Sequence, residues 1–279
     1  MKTTVSIIGG SGYGGGELLR LLRESRERPD AEAIKAVLAE HKARDVVMIG
    51  GGLIGVETTE ALVHAGCRVT VVEMLPQILR ILDWEMARLV EQHMESHGVK
   101  VLTQTRVTGF EGEGRVSGVV TTRGRLPADL VILAIGVRPN VELARAAGLS
   151  IGVSGAIQVD DTLRTSDPDI YAAGDCVESL DLVTGKPCFV PLGSTANKQG
   201  RVAAINICGG TDRFPGVLGS TVCRVFDFCV GRTGLTEAAA REHGYDAVTV
   251  VVPDFDRAHY MPDSKLMILK LVVDRRTRK

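Results

Sequence analysis

No two cysteines in this chain form a C-x-x-C motif or a zinc-type spacing; Cys67, Cys176, Cys188, Cys208, Cys223 and Cys229 are scattered. That argues against a local dithiol or structural zinc motif and makes reduced thiols in a cytoplasm the default. Charge of either sign is not in excess either, since 33 basic residues face 34 acidic ones. There is thus no bulk electrostatic case for a nucleic-acid or anionic-membrane partner. Long apolar runs are missing as well. Val5–Ile8 is too short for a signal peptide, and no segment approaches the length of a membrane span. These absences leave a cytoplasmic globular protein with a small-molecule partner as the expectation. What is plentiful is glycine, with 32 among 279 residues, as suits a chain rich in strand-to-helix turns. The length suits one large or two ordinary domains.

The chain is organised around Asp45–Glu73, DVVMIGGGLIGVETTEALVHAGCRVTVVE. The apolar run Val46–Ile49 predicts a buried strand. Gly50, Gly52 and Gly55 fit G-x-G-x-x-G. An amphipathic helix to about Ala65 follows, with Leu53, Val56, Leu62 and Ala65 facing the sheet. Gly66 caps it, and a strand from Arg68 to Val72 delivers Glu73. This is the order and spacing of a dinucleotide-binding unit. Gly50 allows the tight turn, Gly52 leaves room for a pyrophosphate, and Gly55 lets helix and strand approach. The helix N-terminus offers free N–H groups to phosphate. Glu73 can accept from both ribose hydroxyls and would repel a 2′-phosphate. The next basic residue is Arg80, so the reading is NAD(H) and not NADP. The bland alternative is a glycine-rich turn without a ligand.

A second glycine-rich turn opens the chain. Val5–Ile8 reads as a strand and Glu17–Leu22 as the start of a helix; Gly10, Gly12 and Gly15 again fit G-x-G-x-x-G, and Gly9, Gly12 and Gly15 equally fit G-x-x-G-x-x-G. No strand ending in an acid follows. The polar run RESRERPD intervenes, and a helix is expected from Ala31 to His41. This half-unit could hold a pyrophosphate but has no ribose carboxylate, and a turn without ligand is the alternative. The phrase GGSGYGGGELLRLL resembles the opening of N-acetyl-gamma-glutamyl-phosphate reductases. That resemblance covers about the first two dozen residues, and nothing later supports acyl-phosphate reduction with NADP.

Further along, a helix is expected over Trp84–His97, with Met86, Leu89, Val90 and Met94 as a core stripe. A strand at Val99–Leu102 and a strand pair around Val107 and Val116–Thr121 follow. Asp129–Gly136 reads as a buried strand whose tip, Gly136, would border the ligand crevice. The run Thr165–Asp175 reads as a short strand ending in Ala-x-Gly-Asp, where Gly174 admits a cofactor and Asp175 accepts from a sugar-like hydroxyl. Asp175 capping the next segment is the structural alternative. A helix from Ala196 to Cys208 could turn its N-terminus to a flavin ring.

Together, GGGLIGVE with Glu57, Glu73, AIGVRPN and the run ending in Gly174-Asp175 resemble the FAD-dependent pyridine nucleotide–disulfide oxidoreductases over residues 28–279. The branch is that of NADH oxidases and coenzyme A-disulfide reductases. The resemblance implies a role for Glu57 beside the nicotinamide and for Asp175 at the ribityl–phosphate part of FAD. It also implies a C-terminal dimerisation domain from about Gly219, hence a homodimer. The expected fold is α/β. It has Rossmann-like dinucleotide-binding units with a parallel sheet, a small antiparallel hairpin layer, and a partial α+β dimerisation domain. The division is 1–28 partial Rossmann-type unit, 29–140 NAD-binding, 141–215 part of the FAD-binding domain, and 216–279 partial dimerisation domain.

Two departures from that family stand out. The chain passes from one strand and helix directly to the NAD unit, without the second half of an FAD-binding unit or its redox cysteine. The dimerisation segment also reads as shortened, as in a fusion, a fragment or an engineered chain. The expected function is hydride transfer from NADH to FAD, impaired by the missing FAD half. An NAD-binding module without turnover is the alternative. The catalytic residue for any second half-reaction is unassigned, and no metal is expected.

Overall fold

The computed structural model describes residues 6–7, 29–40 and 42–278. The N-terminal turn with Gly10, Gly12 and Gly15 lies outside the described residues. The central element is a five-stranded parallel sheet. Its strands are β1 (Ser6–Ile7), β2 (Asp45–Ile49), β3 (Arg68–Val72), β4 (Lys100–Leu102) and β8 (Leu130–Leu133), in the order β1-β8-β2-β3-β4. The short strand β1 pairs parallel with β8, Ser6 opposite Ile132. It therefore belongs to the same sheet as the Gly50 turn.

The apolar runs of β2 and β8 are continuous because both faces of the sheet are covered. Val46, Met48, Leu130 and Ile132 point to one side, into a core with Val56 and Leu62 of helix α2 (Leu53–His64) and Val90 and Met94 of helix α3 (Trp84–Ser96). Helix α1 (Pro29–Glu40) adds Ile34, Val37 and Leu38 to that core. Proline at its first position costs no hydrogen bond, because that N–H has no helical partner. Val47 and Val131 point to the other side, against Val116, Val119 and Ala128. There an antiparallel sheet of β5 (Val107–Glu111), β6 (Gly118–Thr121) and β7 (Gly124–Pro127) forms the second layer.

The pattern-based expectations hold for β2, α2, β3, α3 and β8. Helix α2 ends as expected, with Gly66 at φ +83°. Ala65 is exposed and not turned to the sheet, because it is already the C-cap residue, outside the helical repeat. The strand expected before Gly174 is absent. Among the described residues an isolated bridge, Arg164 to Tyr171, forms there, and none of the described strands offers that run a ladder.

Residues 141–215 contain α4 (Glu142–Ala146), the short pair β9 (Ser179–Leu180) and β10 (Pro187–Cys188), and α5 (Gly193–Ile207). Two small apolar clusters, around Ile157 with Val177 and around Leu163 with Val202, hold this part together. The C-terminal part has hairpin β11 (Thr221–Val225) with β12 (Phe228–Arg232), helix α6 (Glu237–Glu242), and hairpin β13 (Ala247–Phe255) with β14 (Leu266–Asp274). It docks on the helical face of the parallel sheet. Cys223, Val225 and Phe226 enter the main core, and Phe226 N donates to Glu60 Oε2 at 2.7 Å. The Lys270 ammonium joins Glu85 and Glu237 at 2.6 and 2.8 Å. By contrast, Val250, Val252, Leu266, Leu269 and Leu271 of the second hairpin are exposed.

Candidate functional site

At the carboxyl edge of the parallel sheet, the glycine turn is built by close backbone approaches. Gly50 has φ +107°, and its N–H donates to Val72 O at 2.9 Å. A Cβ there would lie 2.3 Å from Ala134 O, and one at Gly55 would lie 2.0 Å from Gly50 O. Both positions are therefore closed to any side chain. At Gly52 a Cβ would meet nothing within 4 Å. Among the described residues, position 52 is thus free of neighbouring atoms where the dinucleotide pattern needs room for a pyrophosphate. Gly52 is also the N-cap of α2, and no side chain caps that helix. Its first N–H groups remain available to an anion.

Strand β3 brings Glu73 to this turn. Its Oε2 accepts from Gly51 N at 2.8 Å and its Oε1 from Leu75 N at 2.9 Å. The carboxylate thus has a task that the sequence did not suggest: it ties the glycine turn to the loop after β3. Each oxygen keeps a further lone pair for a ribose hydroxyl. Glu57 is buried on α2, at 5% exposure. Gly136, with φ +107°, follows the tip of β8, where Ile135 is 75% exposed and a Cβ on Gly136 would touch nothing. Gly50, Gly52, Gly55, Glu73 and Gly136 therefore gather at one sheet edge.

Gly174 and Asp175 form a second group, around α5. Gly174 has φ +87°. Its N–H donates to Gln199 Oε1 at 2.8 Å, and Gln199 Nε2 donates to Ser179 Oγ at 3.0 Å. Gln199 is 1% exposed, and this clamp escaped the sequence reading. The available signal was its place three and four residues before the buried Val202 and Ala203, on the same helix face. Asp175 Oδ2 is buried with no hydrogen-bond partner among the described residues. Burial pushes its carboxyl above the usual carboxylate range. An acceptor without a donor is costly, and a ligand hydroxyl would satisfy it. Asp175 and the uncapped N-terminus of α5 fit one side of a flavin nucleotide.

No cysteine is disulfide-bonded. Burial pushes the Cys188 thiol up to about 11, with Asp181 and Glu178 adding to the rise, and the Cys223 thiol up to about 12, with Glu57 and Cys229 adding to it.

The sequence profile described as pyridine nucleotide-disulphide oxidoreductase matches residues 14–197, and that family's dimerisation domain matches residues 221–279. The chain belongs to this family. The match starts at residue 14, ahead of residue 28, where the resemblance in sequence begins. A curated relative, the NAD(P)H sulfur oxidoreductase (CoA-dependent) of Pyrococcus abyssi, is 44% identical over 250 residues, covering 89% of this chain and 56% of the relative. The NADH oxidase of Methanocaldococcus jannaschii is 39% identical over 244 residues, covering 87% and 54%. A solved FAD-dependent pyridine nucleotide-disulphide oxidoreductase from Desulfovibrio vulgaris superposes with a TM-score of 0.82 at 39% identity, covering 98% of this chain and 63% of that one. The chain spans about half the length of the curated relatives it matches.

Proposed function

We propose that this chain binds NADH at the Gly50 turn and presents its nicotinamide to FAD, as an NAD(P)H-dependent flavin oxidoreductase. The observation that carries the reading is the meeting of Glu73 with the glycine turn beside the open position at Gly52. Gly50 and Gly55 fix the turn, and the N–H groups at the start of α2 hold the pyrophosphate. Glu73 accepts from the ribose diol, which favours NADH over NADPH. Glu57 and Gly136 border the nicotinamide end. FAD, when bound, supplies the two-electron acceptor for the hydride. Asp175 Oδ2 accepts from a flavin-side hydroxyl, and Gly174, held by Gln199, keeps backbone close and side chains away.

In this reading residues 29–140 are the NAD-binding domain, 141–215 the FAD-side domain and 216–279 the dimerisation part. The N-terminal turn, with Gly10, Gly12 and Gly15, is the remaining source of phosphate contacts for FAD. The exposed apolar residues of β13 and β14 support a homodimer. Six free cysteines suit a reducing cytoplasm, and among the described residues no helix is long and apolar enough to cross a membrane. The N-terminal sequence, which offers no acid for the FAD ribose, and the small clusters of 141–215 favour weak FAD retention. A second reading, an NAD-binding module without turnover, follows if FAD is not held at all. Anaerobic addition of NADH to the FAD-supplemented protein tests this: bleaching of the flavin absorbance is expected. Saturable NADH binding with unbleached, unbound flavin would leave the binding module.

A further inference from the structure

Away from the nucleotide site, one side-chain cluster has the chemistry of a metal centre. His93, in the last turn of α3, and His97, its C-cap residue, face Asp227 in the turn between β11 and β12. His93 Nε2 lies 2.7 Å from Asp227 Oδ1, and His97 Nε2 lies 3.8 Å from the same oxygen. One donor atom from each of the three residues lies within 4.8 Å of the other two.

The second nitrogen of His97 makes the argument stronger. His97 Nδ1 lies 2.9 Å from the His93 carbonyl oxygen. A carbonyl only accepts, so Nδ1 carries the proton and the neutral ring keeps its lone pair on Nε2. That lone pair and Asp227 Oδ1, both acceptors, then face each other across 3.8 Å. A cation between them resolves the conflict. A histidine that donates one ring N–H to a carbonyl while its other nitrogen faces an anionic ligand is the arrangement metal sites use to fix a tautomer.

The rings are also held in place before any ion arrives. His93 stacks on Phe228 at 3.6 Å between centroids, and His97 stacks on Phe226 at 4.1 Å. Phe226 has φ +55°, a left-handed backbone that is rare for a bulky side chain. It is held by Glu60, which accepts its N–H, and by Arg224, whose Nε donates to its carbonyl at 2.6 Å. Such strain persists where the surroundings enforce it. Here it directs Asp227 at the helix.

We propose that His93 Nε2, His97 Nε2 and the Asp227 carboxylate bind one divalent transition-metal ion of the Zn²⁺ class, with solvent completing the shell. Two imidazoles and one carboxylate suit zinc, cobalt or nickel and not calcium or magnesium, which prefer all-oxygen shells. The ion joins α3, in the NAD-binding unit, to the β11–β12 hairpin, and so acts as a clamp between the two parts of the chain. It has no part in the nucleotide chemistry.

The test uses the full, untagged chain after dialysis against a chelator. Titration with Co²⁺ is followed by its visible d–d bands, then by displacement with Zn²⁺; thermal unfolding is measured with and without Zn²⁺. One Co²⁺ per chain, displaced by Zn²⁺, and a higher Tm with Zn²⁺ but not with Mg²⁺ or Ca²⁺ are expected. Asp227→Ala and His97→Gln should each weaken metal binding by at least about tenfold, with circular dichroism and NADH binding unchanged. Because Asp227 is 65% exposed in its side chain, its removal leaves the fold intact. Binding only at millimolar metal, or equal affinity in wild type and both folded variants, would overturn the proposal. In that case a proton on His97 fills the gap instead.

Discussion

The two nucleotide-facing parts of this molecule are built to different standards. In the NAD-binding part, strands β2, β3 and β8 are buried on both faces, and the glycine turn sits where the backbone leaves no room for error. In residues 141–215, only two-residue strands and isolated bridges appear around Gly174 and Asp175, over clusters of three buried residues each. The first region is closed by its own atoms. The second ends in a buried acceptor without a donor among the described residues. Glu73, with both carboxylate oxygens already bonded to backbone N–H groups, stands fixed for its ligand, whereas Asp175 Oδ2 needs a ligand donor to complete it.

The largest effect should come from attacking the closed region. Gly55→Ala places a Cβ 2.0 Å from Gly50 O. That overpacking should cost about 1–3 kcal/mol or more, seen as a lower denaturant midpoint. Gly52→Val is the contrast, because nothing lies within 4 Å of its Cβ. It should stay folded, with no more than the modest cost of a valine in place of a glycine N-cap, while NADH affinity falls by at least about tenfold, or roughly 1.4 kcal/mol. Equal NADH affinity in the folded Gly52→Val variant would reduce the motif to a structural turn.

Glu73→Gln sharpens the comparison further. It keeps a hydrogen-bond acceptor for Gly51 N or Leu75 N but removes the charge. NADH should bind more weakly by about 1–3 kcal/mol, and the preference over NADPH should narrow. Titration with both nucleotides reads this directly, and indistinguishable curves for the unmutated protein would contradict the NAD assignment.

On the open side the effects are smaller and depend on pH. The folded-state pKa of Asp175 is raised by burial. The folded protein therefore holds this proton more tightly than the unfolded chain, whose aspartate titrates near about 3.9. Stability assigned to this group is present at low pH and falls as pH rises through the window from that value up to the raised one. Asp175→Asn should remove that component, so the stability of the variant relative to wild type should grow with pH across the window. The same variant should hold FAD less well. A stability difference that is flat in pH would mean that the carboxylate finds a donor in solution.

The smallest effect expected is none. With the Cys188 and Cys223 thiols pushed up to about 11 and about 12, neither is a thiolate near neutral pH. Any NADH-dependent disulfide reduction should survive Cys188→Ser and Cys223→Ser, made one at a time. Loss of that activity in a single such variant would identify a protein nucleophile.

How much of this could be read in advance follows the same division. The NAD unit was legible from Asp45 to Glu73 because uninterrupted apolar runs and fixed glycines leave few alternative structures. Strands β7 and β12 were missed. Gly124-Arg125-Leu126-Pro127 has one apolar residue, and Phe228–Arg232 is partly exposed, so neither carries a strong alternation. The short strand expected before Gly174 failed because a strand needs a partner, and a partner is not a local property. Glu73's bond to Gly51 and the bonds of Gln199 to Gly174 and Ser179 join residues 20 to 25 positions apart; the helix period marks Gln199 as inward-facing but cannot name such partners.

The most direct test counts ligands on one sample. Aliquots of the purified chain are dialysed to equilibrium against NADH and against FAD separately, at equal concentrations under anaerobic conditions, and each bound nucleotide is quantified per chain. The account predicts close to one NADH per chain, with FAD well below one. A full equivalent of tightly held FAD, or NADH bound no better than FAD, would contradict it.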